Sequence, residues 1–391
     1  MSTTNKNKKP RAGAASKRAP PRRVGSLTLS PSERMILDIV RRHGTIARAA
    51  IAGETDLAQQ SVHRLVEQLI ERGLLRAGAT IRNGRGKPSP RIELAREAAY
   101  TVGISINTDS ITLCLADLGC HILEEVHLRT PPTHRKASLT AIGDALERML
   151  ARNSVPRERL LGAGVAIAGF FVAGRSQVNA SEPLQDWSLV DLVPILEEAL
   201  RLPVWLENNA TTAAIGESLL GAGLWAQNFA YLAFNYGFGA GIVLGGKPLF
   251  GAHGNAGELT LFTSEEAAHR PTLRSLMDEL RTHGVIVDSV EDLRQRFDIT
   301  WPGVESWVLR SLPALNRTIN AMAGLFDPEA IVFGGQLPLP LGRMLIERVR
   351  FLDIHRYGVG PDRPKLVLAE TNGDASAIGA ALVPLKERLF E

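Results

Sequence analysis

The sequence predicts an α/β protein in two parts: a small helical head closed by a β-hairpin, and a larger two-lobed body. Three observations predict it. Charge is divided, with a net +12 over residues 1–95 and, since the whole chain carries +4, −8 over the remainder. Apolar residues recur at helical spacing up to about residue 70 and in short extended runs beyond residue 100. From Tyr100 onward, the order of three strands, helix, strand and helix occurs twice. At 391 residues, 45% hydrophobic and 22% charged, the chain is long enough for two or three packed cores and too apolar for a disordered one.

The elements follow in chain order. Residues 1–25 hold eight Lys or Arg and no acid. Pro and Gly interrupt them, and they read as a solvated basic tail rather than an amphipathic transit peptide. Residues 26–95 read as the head. Ser30 followed by Pro-Ser-Glu is an N-cap with Pro at the first helical position, and Gly44 is the stop. A second short helix is predicted over TIARAAIAG, ending at Gly53. The third, within LAQQSVHRLVEQLIERGLL, aligns Leu57, Val62, Leu65, Val66 and Leu69 in one stripe and leaves Gln59, Gln60, Ser61, His63 and Arg64 on its first turns. Asn83-Gly84 then predicts a tight hairpin whose tip carries Arg82, Arg85, Lys87 and Arg91, with Gly86 permitting close backbone approach. Together these make a winged helix-turn-helix, with one helix for the major groove and a basic wing for phosphates or the minor groove. Gln59, Gln60 and His63 are candidates for base edges, and Arg64 for phosphate or guanine. A three-helix protein-interaction bundle would share the apolar stripe; adjacent basic tail, helix and wing favour a double-stranded DNA operator as partner.

The body begins at about residue 98. YTVGISIN, SITLCLAD and HILEEVHL read as consecutive strands. A helix (137–152), the strand LLGAGVAIAG, a helix (189–200), the strand PVWL and a helix (211–220) follow. FAYLAFNYG, GAGIVLGG and KPLF repeat the triple-strand opening, with AIVFGG and KLVLAE as later strands. This duplicated order is that of a two-lobed, actin-like ATPase domain, divided as about 98–222 plus the C-terminal helix, and about 223–375. The longest apolar run, AGVAIAGFFVAG, is shorter than the ~20 residues of a membrane span and reads as a buried strand and its turn. Cys114 and Cys120 form neither a disulfide framework nor a zinc spacing, which suits a reducing cytoplasm.

Six segments carry a resemblance to the ROK family of sugar-responsive repressors and sugar kinases: GVAIAGFFVAG, the Trp187 of LQDW, LENNATTAAIGE, GFGAGIVLGGKPLFGAHGNAGE, LFDPEAIVFGG and GDASAIGAAL. It runs from about Leu29 to the C-terminus, and the winged helix resembles the family's repressor branch. The resemblance implies a sugar-kinase-like domain. In the family's kinases an Asn-Asp pair supplies the base; here Asn208 matches the Asn and Asn209 stands where the Asp belongs. An amide is too weakly basic to take a proton from a sugar hydroxyl, a loss on the order of 10²–10⁴ in rate. The first phosphate loop reads SINTD, with Ser105 in place of a carboxylate and Asn107 in place of a glycine. Tyr236 opens the second, where its ring would crowd phosphate. Asp109 is the one carboxylate that could restore metal binding, in a shifted register. The resemblance also implies a sugar-contacting Glu258 and a following His and Cys cluster for zinc; here Thr260 takes the His position and SEEAAHRPTLRS has no cysteine. His253 and His269 read as turn and surface residues.

The expectation is therefore a cytoplasmic DNA-binding regulator without catalytic residues, cofactor or metal, most simply a repressor of carbohydrate uptake or catabolism genes. A small sugar or sugar phosphate would bind at Asn208, Asn209, Glu258 and Thr260. A homodimer or homotetramer would bind the operator, and the apolar stripe of SWVLRSLPALNRTINAMAGLF fits either its subunit contact or the core between the lobes. The competing classes are an active sugar kinase with a DNA-binding extension and a ligand-independent DNA-binding regulator.

Overall fold

The computed structural model describes residues 28–80, 90–261, 269–371 and 373–390. Helix α1 spans Pro31–His43 with a complete capping box: Ser30 accepts from the Glu33 backbone, and the Glu33 carboxylate accepts from Ser30. Gly44 ends it at φ +65°. The next three residues differ from expectation. Thr45–Ala47 is a strand, β1, and only Arg48–Gly53 is helix α2. Nothing local dictates this. Ile46 pairs with Ile92 on strand β3 (Pro90–Leu94), and β3 pairs in turn with β2 (Leu75–Thr80), giving the order β1-β3-β2. Helix α3 spans Gln59–Glu71. The tip of the wing, with Arg82, Asn83, Gly84, Arg85, Gly86 and Lys87, lies outside the described residues, as does the basic tail.

Two five-stranded sheets form the body. The first has the order β10-β7-β4-β5-β6, from β4 (Tyr100–Ile106), β5 (Ile111–Asp117), β6 (Ile122–Leu128), β7 (Leu160–Ile167) and β10 (Val204–Asn208). Helices α4 (Arg135–Arg152) and α5 (Leu192–Leu200) cover its outer side, and a small hairpin, β8 (Phe170–Val172) with β9 (Gln177–Asn179), follows the end of β7. The second has the order β13-β12-β11-β14-β15, from β11 (Phe229–Phe234), β12 (Phe238–Leu244), β13 (Lys247–Pro248), β14 (Ala330–Gly335) and β15 (Lys365–Leu368). Helices α7 (Leu273–Thr282), α8 (Val290–Arg296), α9 (Val304–Phe326) and α10 (Leu339–Arg348) enclose its core. The inner face of α9, including Trp307, Val308, Leu315 and Ile319, is part of this second-sheet core, while Leu309 and Leu325 remain exposed. Among the described residues no helix is long and apolar enough to cross a membrane.

Two helices lie between the sheets: α6 (Asn209–Leu220) and α11 (Ala375–Leu389). They touch through backbone. A Cβ added to Gly379 would meet the Thr212 carbonyl oxygen at 1.8 Å, and one on Gly164 of β7 would meet the Ala380 carbonyl oxygen at 1.9 Å. Only glycine permits that approach. The head is not tethered by a loose linker. Ile36, Leu37, Val40, Val66, Leu69 and Ile92 share one continuous buried cluster with Leu118, Ile378, Leu382, Leu385, Leu389 and Phe390 of the body.

Candidate functional site

Two surfaces hold the predicted functional residues. On the head, α3 buries Val62, Leu65, Val66 and Leu69 and leaves Gln59, Gln60, His63 and Arg64 exposed, with Ser61 half-buried. This follows from the 3.6-residue period: an apolar stripe that fills the head core turns the intervening polar residues outward. Arg48 of α2 braces the helix, with one guanidinium nitrogen 3.2 Å from His63 Nε2 and another 2.6 Å from Glu67. The residue before the helix is Ala58, so no side chain caps its first N–H groups. Arg91 sits at the base of the wing rather than along it, and its guanidinium reaches the Thr45 carbonyl (3.4 Å) and hydroxyl (3.3 Å) of β1.

The second surface is a cleft of about 830 Å³ between the two sheets, lined among others by Asn107, Asn209, Tyr236, Glu258, Thr260 and Arg270. Asn208 ends β10 and caps α6. Its Oδ1 accepts the Ala210 N–H at 2.7 Å, and its Nδ2 donates to the Gly169 carbonyl at 2.6 Å. Asn208 lines the cleft, and its amide, which has a second N–H and a second lone pair beyond these two bonds, also holds the strand-to-helix turn.

Asn209 differs. It is 5% exposed. Its Nδ2 donates to Asn107 Oδ1 at 2.7 Å, and its own Oδ1 has no partner. The orientation is not arbitrary, because Asn107 Nδ2 donates to the Asp374 carboxylate at 3.1 Å, which obliges Asn107 to turn its oxygen, and hence Asn209 to turn its NH2, inward. Asp374 is the residue the sequence reading passed over. It is 1% exposed. One carboxylate oxygen receives Ser105 Oγ at 2.7 Å together with Asn107, and the other caps α11 through the Ser376 and Ala377 N–H groups at 3.0 and 3.1 Å. An Asp directly before the Ala-rich stretch of GDASAIGAAL is an N-cap signal that could have found it. Ser105, in the position of a missing carboxylate, is thus a donor to one that comes from the other end of the chain.

Around this floor, Glu125 accepts the Asp374 N–H at 3.0 Å and pairs with His127 at 3.2 Å. Burial pushes the Glu125 carboxyl up, but the His127 hydrogen bond and that backbone N–H outweigh it and hold it below its ordinary range. The same hydrogen bond to Glu125 holds His127 above its ordinary value. The Asp109 carboxylate accepts the Val290 N–H at the start of α8 and the Ser110 hydroxyl, and Asp109 is not among the residues that line the cleft. On the opposite wall, Glu258 accepts the Thr260 N–H at 2.9 Å, Thr260 Oγ1 accepts from Arg270 at 3.2 Å, and the Arg274 guanidinium lies 5.6 Å from the Tyr236 ring centre. His253 and His269 are exposed. No three His, Cys, Asp or Glu side chains among the described residues are grouped to hold a metal ion.

The sequence of the body matches the family model described as ROK family over residues 101–267, and the head matches one described as winged helix-turn-helix DNA-binding over residues 29–76. The chain is 27% identical to a transcriptional regulator of Mycobacterium tuberculosis over 80% of this chain and 76% of that one. It is 22% identical to the xylose repressor of Caldicellulosiruptor bescii over 81% of this chain and 85% of that one. Its fold is like that of a ROK family transcriptional regulator described as a homologue of the E. coli MLC protein, with a TM-score of 0.67 at 20% identity, covering 92% and 96% of the two chains. It is also like that of the ROK hexokinase of Thermus thermophilus, with a TM-score of 0.54 at 28% identity, covering 72% and 97%.

Proposed function

We infer, from a chain that belongs to the ROK family and carries a winged helix-turn-helix in front of its ROK domain, that the protein is a sequence-specific DNA-binding transcriptional regulator, a repressor of carbohydrate uptake or catabolism genes acting in the cytoplasm. The observation that carries this reading is the outer face of α3. Gln59, Gln60, His63 and Arg64 stand exposed on one helix whose opposite face is fixed in the head core. Homologous proteins named as repressors support it, the C. bescii xylose repressor among them. The ligand domain in this reading is a sugar-kinase-like cleft without phosphoryl transfer. Asn209 stands in the base position, and the nearby carboxylate, Asp374, has both oxygens engaged within the chain. A small sugar or sugar phosphate binds among Asn208, Asn209, Glu258 and Thr260, all of which line the cleft. A homodimer or homotetramer reads a pseudo-palindromic site.

Operator selection from random duplexes with the full chain, followed by binding at several salt concentrations, tests the reading. Wild type selects a defined site, and Gln60→Ala with Arg64→Ala weakens it by about 10- to 1000-fold, as two lost base or phosphate contacts of ~1–3 kcal/mol would. Selection of no sequence sinks it.

The similarity to a hexokinase at 28% identity favours a second reading, an active sugar kinase with a DNA-binding extension. An ADP-release assay over hexoses and amino sugars with ATP and magnesium decides between them; turnover abolished by Glu258→Ala establishes the kinase. A thermal-shift screen with the same panel identifies the ligand, since a sugar at 100 times its Kd adds about 2.7 kcal/mol of stability.

A further inference from the structure

Helices α6 and α11 each begin at the cleft and end at the head. At the cleft, α6 starts with Asn209 and α11 is capped by Asp374, and these two residues are joined through Asn107. At the far ends, two arginines of α1 grip the last carbonyls. Arg34 donates from Nε to the Phe390 carbonyl at 2.8 Å and from Nη2 to the Lys386 carbonyl at 3.0 Å. Arg41 donates to the Leu219 carbonyl at 2.9 Å. Both therefore bind the negative end of a helix dipole, and both supply donors to carbonyls that a helix C-terminus leaves without one. Between the ends, the helices touch through backbone at Gly216 and Gly379. At 12 and 15 residues, they span roughly 18 and 22 Å.

We propose that α6 and α11 form a paired lever joining the cleft floor to the winged helix, with Arg34 and Arg41 as the positioning residues that make the head follow it. The proposal rests on the regulatory reading for its purpose, though not for its test. A ligand that donates a hydroxyl to the unpartnered Asn209 oxygen pulls on the Asn107–Asp374 chain, and so on the first turns of both helices together. Backbone contact at Gly216 and Gly379, with Ser376 Oγ bonded to the Asn209 carbonyl, leaves little room for one helix to slide on the other, so a displacement at the cleft arrives at α1 as a tilt. Hydrogen bonds from arginine forks, rather than apolar contact alone, set the direction of that tilt. The device is a two-state element biased from both ends, which allosteric coupling requires.

The test uses the full chain without ligand, with Asn209→Asp as the perturbation. A carboxylate there turns an acceptor toward Asn107 Oδ1, so Asn107 has to reorient and release Asp374. Amide hydrogen exchange is followed across α1 and, as a control, across α10, which packs on β15 and α9 rather than on the lever. The expected result is a change of about fivefold or more at α1, the lower end of typical coupling, with the control helix unchanged. In an Arg34→Lys/Arg41→Lys background, the change at α1 disappears while the change at the cleft persists. Lysine keeps the charge and loses the fork, and a wild-type melting profile confirms that this background is folded. An effect confined to the cleft in both backgrounds, an equal effect at α1 in both, or a uniform change over the whole chain overturns the proposal. Failure to bind any operator would refute the regulatory reading and leave the exchange result standing.

Discussion

The outer face of α3 and the floor of the cleft are both made of polar residues at helix N-termini, and they are wired in opposite ways. α6 and α11 are capped, by Asn208 and Asp374, and the polar groups around those caps bond to one another. α3 starts after Ala58 with no side-chain cap, and Gln59 and Gln60 project outward. A helix that satisfies its own first N–H groups is closed to an anion, whereas one that leaves them open is suited to phosphate. The caps of α6 and α11 are filled from within, and the start of α3 is left for a partner.

The largest expected effect comes from emptying the cleft cap. Asp374→Ala removes a buried carboxylate that receives two side-chain and two backbone donors, leaving Ser105 and Asn107 without it. A loss of about 3–5 kcal/mol is expected, read as a drop in melting temperature of roughly 5 °C. A melting temperature within about 1 °C of wild type, the size of a surface substitution, would break the contrast by showing the floor to be incidental.

Closing the open end of α3 sharpens it. Ala58→Asp introduces a cap and a negative charge, stabilising the head by about 1 kcal/mol while lowering operator affinity by roughly tenfold. The opposite signs are the point, and they are read from melting and from DNA titration on one variant. Equal or tighter DNA binding would mean that phosphate does not approach this end.

The smallest effect is the pH response beside Asp374. His127 is raised above 6.5 by Glu125, so its contribution is complete below that value and fades as pH rises through its folded value. Glu125 is lowered below 4.5, so its contribution is present above that value and fades in acid. With His127 about half-exposed, the expected decline between pH 6 and 8 is under ~1 kcal/mol. His127→Gln should flatten melting temperature across that range; an unchanged slope would assign the response elsewhere.

How much of this was legible in the sequence depended on distance along the chain. The capping box of α1 lies within four residues, and the third helix shows its stripe within fifteen, so both could be read directly. β1 could not, because TIA becomes a strand only by pairing Ile46 with Ile92. The amide in the base position was legible from the resemblance, but not the single unpartnered oxygen it presents. That oxygen depends on Asp374, which is 269 residues from Ser105 and 267 from Asn107. Asn208 shows the same limit: its neighbours in sequence predict a cleft residue, and it lines the cleft, but its bond to Gly169, 39 residues earlier, which also makes it a brace, could not be read.

The buried cluster that runs from Ile36 and Val66 into Leu382, Leu389 and Phe390 has one more outcome. Head and body cannot be parted cleanly. Cutting the chain near residue 95 would bare a greasy patch on the final helix, and such a fragment should precipitate unless that patch is redesigned as polar. Losing or gaining a DNA-reading head in this lineage would therefore demand rewriting the opposite terminus as well, so the two ends of the gene are bound to change in step.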